Sequence, residues 1–188
     1  KNFMVSAIHL PLFLFLTVQE KDSIVKKQML TLLFIAGSLG AAAQSPDTPA
    51  FKKNPVLPAI SLIQADSSTL TKANLKQQPT LIMIFSPSCD HCQHQWEDMV
   101  KHKEQLHHIQ ITMATFQPFE EMEEFYKKEK IASYPNIKVG RDENFALLGF
   151  YRMTTLPFQA LYDKNGKLIT TFQSNVPIEK ILEAFGAK

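Results

Sequence analysis

Leu81-Ile82-Met83-Ile84-Phe85-Ser86-Pro87-Ser88-Cys89-Asp90-His91-Cys92 is an apolar run of five, a short turn and a Cys-x-x-Cys. The apolar run, bounded by Pro79 and Pro87, suits a central strand covered on both faces. After Cys92, apolar residues recur at Trp96, Met99, Val100 and Leu106 among charged ones, which predicts a helix to about Gln105. The pair thus stands between a buried strand and the start of an amphipathic helix. A helix start presents unpaired N–H groups and the positive end of the dipole, which favour a thiolate at Cys89. Cys92 falls about one turn later and deeper, where it can attack a mixed disulfide formed at Cys89. Cys89 is therefore expected to be the attacking sulfur and Cys92 the resolving one. Asp90 and His91 tune the pair in opposite senses: a protonated His91 stabilises the thiolate, and Asp90 resists it.

Working outward, residues 109–116 alternate like a strand, and Phe119, Met122, Phe125 and Tyr126 mark one face of a second helix. Residues 145–150 suggest a further short helix. Residues 158–162 and 168–172 flank Asp163-Lys164-Asn165-Gly166, a β-hairpin by its Asn-Gly signal. Ile178, Ile181, Leu182 and Phe185 close the chain at helical spacing, with Pro177 at the first turn and Gly186 at the end. Upstream, Ile60, Leu62 and Leu70 suggest a short strand and turn. The order implies an α/β fold: a central mixed β-sheet with helices on both faces.

The strand, the Ser-Pro-Ser-Cys-Asp-His-Cys turn, the long helix and Leu156-Pro157 before the hairpin resemble the thioredoxin superfamily over roughly residues 59–186. The likeness implies a thioredoxin-like fold and protein-disulfide oxidoreductase activity that needs no bound cofactor. Residues 162–166, with a leader and a proline-rich entry, are similar to the exported TlpA-like and ResA-like branch. By this resemblance Pro157 is cis and lies beside the sulfurs, and the backbone of Leu156 pairs with an extended client segment. Partners would be disulfide- or thiol-containing client proteins and an electron donor, membrane-linked or soluble. The chain departs from the family pattern in three places. Ser88 replaces the Trp common before the first cysteine, and Met83 replaces a buried acidic residue that accepts the proton of the second cysteine. Glu97 replaces a helix-kinking proline. The direction of electron flow stays open, with reduction the favoured sense.

Of the 188 residues, 20 are Lys or Arg and 18 are Asp or Glu. The first 43 hold Lys1, Lys21, Lys26 and Lys27 against Glu20 and Asp22, so the remainder balances and shows no basic stripe for nucleic acid. Residues 21–43 have the parts of a secretory signal: Lys21, Lys26 and Lys27, an apolar stretch over residues 29–39, then Ala41-Ala42-Ala43. Cleavage after Ala43 and export to a periplasm or cell envelope follow as expectations, and residues 1–20 read as lying upstream of the true start. The apolar stretch is shorter than the ~20 residues that span a bilayer. Four prolines, Pro46, Pro49, Pro55 and Pro58, make residues 44–58 an expected linker, and residues 59–188 the domain.

Three rival readings remain beside the oxidoreductase. Cys89, Cys92 and His94 could bind zinc or copper in a metal- or client-binding module, although structural zinc usually takes a second tight ligand pair. The cysteines could form an inert disulfide, which a loop this short would make only weakly stabilising. A thiol peroxidase usually carries Pro-x-x-x-Thr-x-x-Cys, which residues 80–89 do not match. No metal site is expected. Trp96 reads as core, and residues 120–130 as a solvated helix face.

Overall fold

The computed structural model describes residues 48–186. The leader, its cleavage point and the first residues of the expected linker lie outside them. In chain order the elements are α1 (Ala50–Lys53), β1 (Ser61–Ile63), β2 (Thr69–Thr71), β3 (Thr80–Ile84), α2 (Asp90–Lys101) and α3 (Lys103–Leu106). There follow β4 (Gln110–Thr115), α4 (Phe119–Lys128), β5 (Ile137–Arg141), α5 (Ala146–Tyr151), β6 (Phe158–Tyr162), β7 (Leu168–Gln173) and α6 (Ile178–Ala184). Short 3-10 turns cover Lys72–Asn74 and Ile131–Ser133.

The apolar run becomes β3, buried at all five positions because it has neighbours on both edges and helices over both faces. It pairs parallel with β4 and antiparallel with β6. The sheet order is β2-β1-β5-β4-β3-β6-β7, mixed as expected. Side chains alternate across the pleat. Leu81 and Met83 join Trp96, Met99, Met122, Phe125, Ile178 and Ile181 from α2, α4 and α6. Ile82 and Ile84 join Phe51, Leu147 and Tyr151 from α1 and α5 on the opposite face. The expected α/β fold with helices on both faces is therefore present.

Three expectations change. Residues 50–58 are not a linker: Phe51 is buried, with its ring 5.6 Å from Tyr151 and 6.3 Å from Phe158. Leu57 N–H donates to Gly166 O at 2.7 Å, and Leu168 N–H to Pro55 O at 2.8 Å, so the segment docks on the β6–β7 turn. The prolines stiffen a packed strap, and among the described residues the packed domain takes in residues 50–58 as well as those from 59 on. Strand β5 was not anticipated, being five residues long with Gly140 near its end. That glycine lets β1 approach, since a Cβ there would lie 2.8 Å from Leu62 Cβ and 3.1 Å from Ile63 O. Last, the helix expected to reach Gln105 breaks at His102, whose φ of −107° and ψ of 22° end α2. The His102 ring nitrogen Nδ1 lies 2.8 Å from Asp98 O, competing for a carbonyl of the last turn.

Candidate active site

β3 delivers the chain to the end of the sheet, where Cys89 N–H bonds Ser86 O at 3.2 Å and closes a turn. Cys89 then caps α2 in an extended conformation, φ −90° and ψ 118°. Its Sγ accepts the Cys92 N–H at 3.4 Å, so the sulfur takes the place a capping oxygen would have. Gln93 Nε2 donates to Pro87 O at 2.8 Å and ties the turn to the helix. Asn175 Nδ2 donates to His91 O at 2.8 Å, which binds the loop before α6 to the same first turn.

The two sulfurs differ in environment. Cys89 is half-buried and Cys92 is 2% exposed, and the two stand unlinked. Burial, reinforced by the neighbouring Cys89, pushes the Cys92 thiol up to about 12; a backbone hydrogen bond at Ser86 opposes the rise. Asp90 and His91 are both exposed. Ser88 is also exposed, its Oγ 3.1 Å from Ser86 Oγ. Beside it opens a hollow of about 270 Å³ lined by Pro87, Ser88, Gln93 and Phe125, with Glu121, Glu124 and Glu129 among its walls.

The Leu156–Pro157 peptide bond is cis. The register pairs Ile84 with Phe158, so Pro157 comes level with Phe85, at the sheet end that leads into the cysteine turn. Pro157 is buried and its carbonyl is taken by Ser174 N–H at 2.8 Å. Leu156 is half-buried and packs on the cluster that also receives Cys89. Trp96 is core, as read, and its Nε1 donates to Glu129 Oε2 at 2.8 Å. Met83, at the expected acid position, is fully buried and apolar. Among the described residues no group of three or more His, Cys, Asp and Glu stands as a ready-made metal cluster.

Sequence reading missed Gln95 and Gln159, both fully buried beneath the site. The signal was there in Gln95, a polar residue three positions after Cys92 on an otherwise apolar helix face. Gln159 sits within an apolar strand run and looks from sequence like an outward-facing position.

A family model for the thioredoxin-like domain matches residues 67–187. The chain belongs to the thioredoxin-like family. By class it is a protein-disulfide oxidoreductase. No curated protein matches its sequence. Solved structures share its fold. The thioredoxin-like chain is 20% identical to the exposed lipoprotein thioredoxin of Streptococcus pneumoniae, with a TM-score of 0.57 over 69% of this chain and 98% of that one. It is 15% identical to StoA of Bacillus subtilis, with a TM-score of 0.55 over 69% and 98%. A secreted disulfide oxidoreductase of Mycobacterium tuberculosis is 12% identical, with a TM-score of 0.57 over 68% and 94%. At these identities the likeness speaks for the fold.

Proposed function

We propose that this chain is an exported reductase of protein disulfides, in which Cys89 attacks and Cys92 resolves. The observation that carries the reading is the asymmetry of the pair. Cys89 is accessible at the helix cap with an N–H aimed at its sulfur, and Cys92 is buried one turn behind it. Cys89 thiolate attacks a client disulfide, an Sγ–S bond forms, and the first client sulfur leaves with its electron pair and takes up a proton. Cys92 gives up its proton and attacks Cys89 Sγ. The Cys89–Cys92 disulfide forms and the second client sulfur departs as a thiol. Two electrons have passed to the client, and a dithiol donor, membrane-linked or soluble, returns the pair to its reduced form.

Leu156 and Pro157 are assigned to client binding. No backbone hydrogen bond within the described residues uses Leu156, which leaves its peptide groups free to pair with an extended client segment. Asp90 and His91 are assigned to tuning the potential. The reducing direction is supported by the likeness of the domain to the TlpA-like, ResA-like branch, and the buried Cys92, held protonated by burial, waits in the thiol form until it resolves. Export and the TlpA-like, ResA-like branch are supported by the leader pattern and by the exposed and secreted neighbours. Residues 1–43 are assigned to targeting, with cleavage after Ala43.

Cys92→Ser tests the roles. It should accumulate client complexes through Cys89 on non-reducing gels, whereas Cys89→Ser should accumulate none. Complexes trapped by Cys89→Ser and absent from Cys92→Ser would reverse the assignment.

A further inference from the structure

The interior behind the sulfurs holds a polar pair that the exchange mechanism has not used. Gln95 lies on the inward face of α2, three residues after Cys92. Its Oε1 accepts Val176 N–H at 2.8 Å, and its Nε2 donates to Val176 O at 3.1 Å. A backbone donor and a backbone acceptor on the same residue fix which way this amide points. Gln159 Nε2 then donates to Gln95 Oε1 at 3.2 Å, which fixes the second amide in turn. Its Oε1 is left buried without a hydrogen-bond partner.

The register locates that free oxygen. Gln159 is directly opposite Met83 in the β3–β6 pairing, two residues past Pro157. Met83, Leu161 and Cys92 belong to one cluster, so the oxygen lies in the layer between β3, β6 and α2 that also holds Cys92. The other unpartnered buried oxygen among the described residues, Thr112 Oγ1, pairs in register with Ile82 and belongs to the opposite face. A buried acceptor without a partner is unfavourable, and an apolar residue of the same shape would avoid the cost. Cys92 is the group in this layer with a proton to lose, and burial opposes its loss. Met83, Phe85, Leu161 and Val176, of the same cluster as Cys92, carry no charge, and Cys89 is its titratable neighbour.

We propose that Gln159, oriented by Gln95, is the positioning residue for the resolving step, its free Oε1 holding a water that relays the Cys92 proton. In that step Cys92 gives its proton to the water, and the water passes one to the departing client sulfur. The Cys92–Cys89 bond forms as the Cys89–client bond breaks, and the electron pair leaves with the client sulfur. The inference rests on Cys92 being the resolving thiol.

The test uses the reduced protein and an aromatic disulfide, 5,5′-dithiobis(2-nitrobenzoate), whose coloured thiolate is released once by attack of Cys89 and again when Cys92 closes the pair. Both phases are followed against pH for the wild type, Gln159→Met and Gln159→Glu. Gln159→Met should keep the melting temperature and the first phase. It should slow the second about tenfold or more at neutral pH and raise its pH midpoint. Gln159→Glu, with a carboxylate at the same place, should bring the midpoint back down. An unchanged second phase in Gln159→Met, or equal slowing of both phases, overturns the proposal; the Met comparison decides alone if Gln159→Glu does not fold. A wild type that releases one equivalent of the thiolate per protein and no second would instead overturn the reading of Cys92 itself.

Discussion

Replacing Phe51 by Ala asks whether residues 50–58 are part of the folded domain. The ring is 7% exposed and packs against Tyr151 and Phe158, which are themselves 4.8 Å apart between ring centres. Truncating a buried Phe costs about 3–5 kcal/mol, combining lost transfer free energy with the cavity left behind. Helix α1 is only four residues long, so it can partly settle into the gap. The low end, about 3 kcal/mol, is therefore expected. For a domain of this size, at about 4 °C per kcal/mol, the melting temperature should fall by about 12 °C. Urea unfolding followed by Trp96 fluorescence, with the exposed Lys53→Ala as control, measures the loss directly. A change within about 0.5 kcal/mol, the range of an ordinary surface substitution, would refute the packed-strap account and restore the linker reading.

Two further outcomes follow from the same structure. Gly140→Ala forces a methyl to 2.8 Å from Leu62 Cβ and should destabilise by about 1–3 kcal/mol, read as a lower urea midpoint at unchanged slope. Cys92, raised in the folded protein, favours folding fully below the ordinary thiol range, and that contribution fades as pH climbs from about 9 toward about 12. The reduced wild type should accordingly lose stability across that alkaline window relative to Cys92→Ala, and parallel unfolding curves would contradict the shift.

How much of this was legible in the sequence depended on whether the signal was local. The β3 run, the Cys-x-x-Cys at a helix start and the Asn-Gly hairpin are each decided by neighbours within a few residues, and each stands where it was read. The cis bond at Pro157 was anticipated through resemblance alone. What escaped was set by distant partners. β5 becomes a strand because β4 and β1 flank it, and its own signal is short, only Ile137 and Val139 alternating with Lys138 before Gly140. The proline-rich segment looked extended, and much of it is, but Phe51 and Leu57 find a sheet face that no local pattern announces. Gln159 has the same difficulty in sharper form: an amide in a strand reads as outward-facing until Gln95, 64 residues away in sequence, is found bonded to it. The break at His102 turns on one ring competing for one carbonyl, below the resolution of apolar periodicity.

The most direct test of the central claim is the equilibrium reduction potential of the Cys89–Cys92 pair, titrated in glutathione buffers with Trp96 fluorescence as reporter. The account predicts a reversible two-electron transition near the thioredoxin value of about −270 mV, fitting a reductase of protein disulfides. A transition near about −120 mV would make the protein an oxidant, and no transition at all would contradict the assignment of these two cysteines as a redox pair.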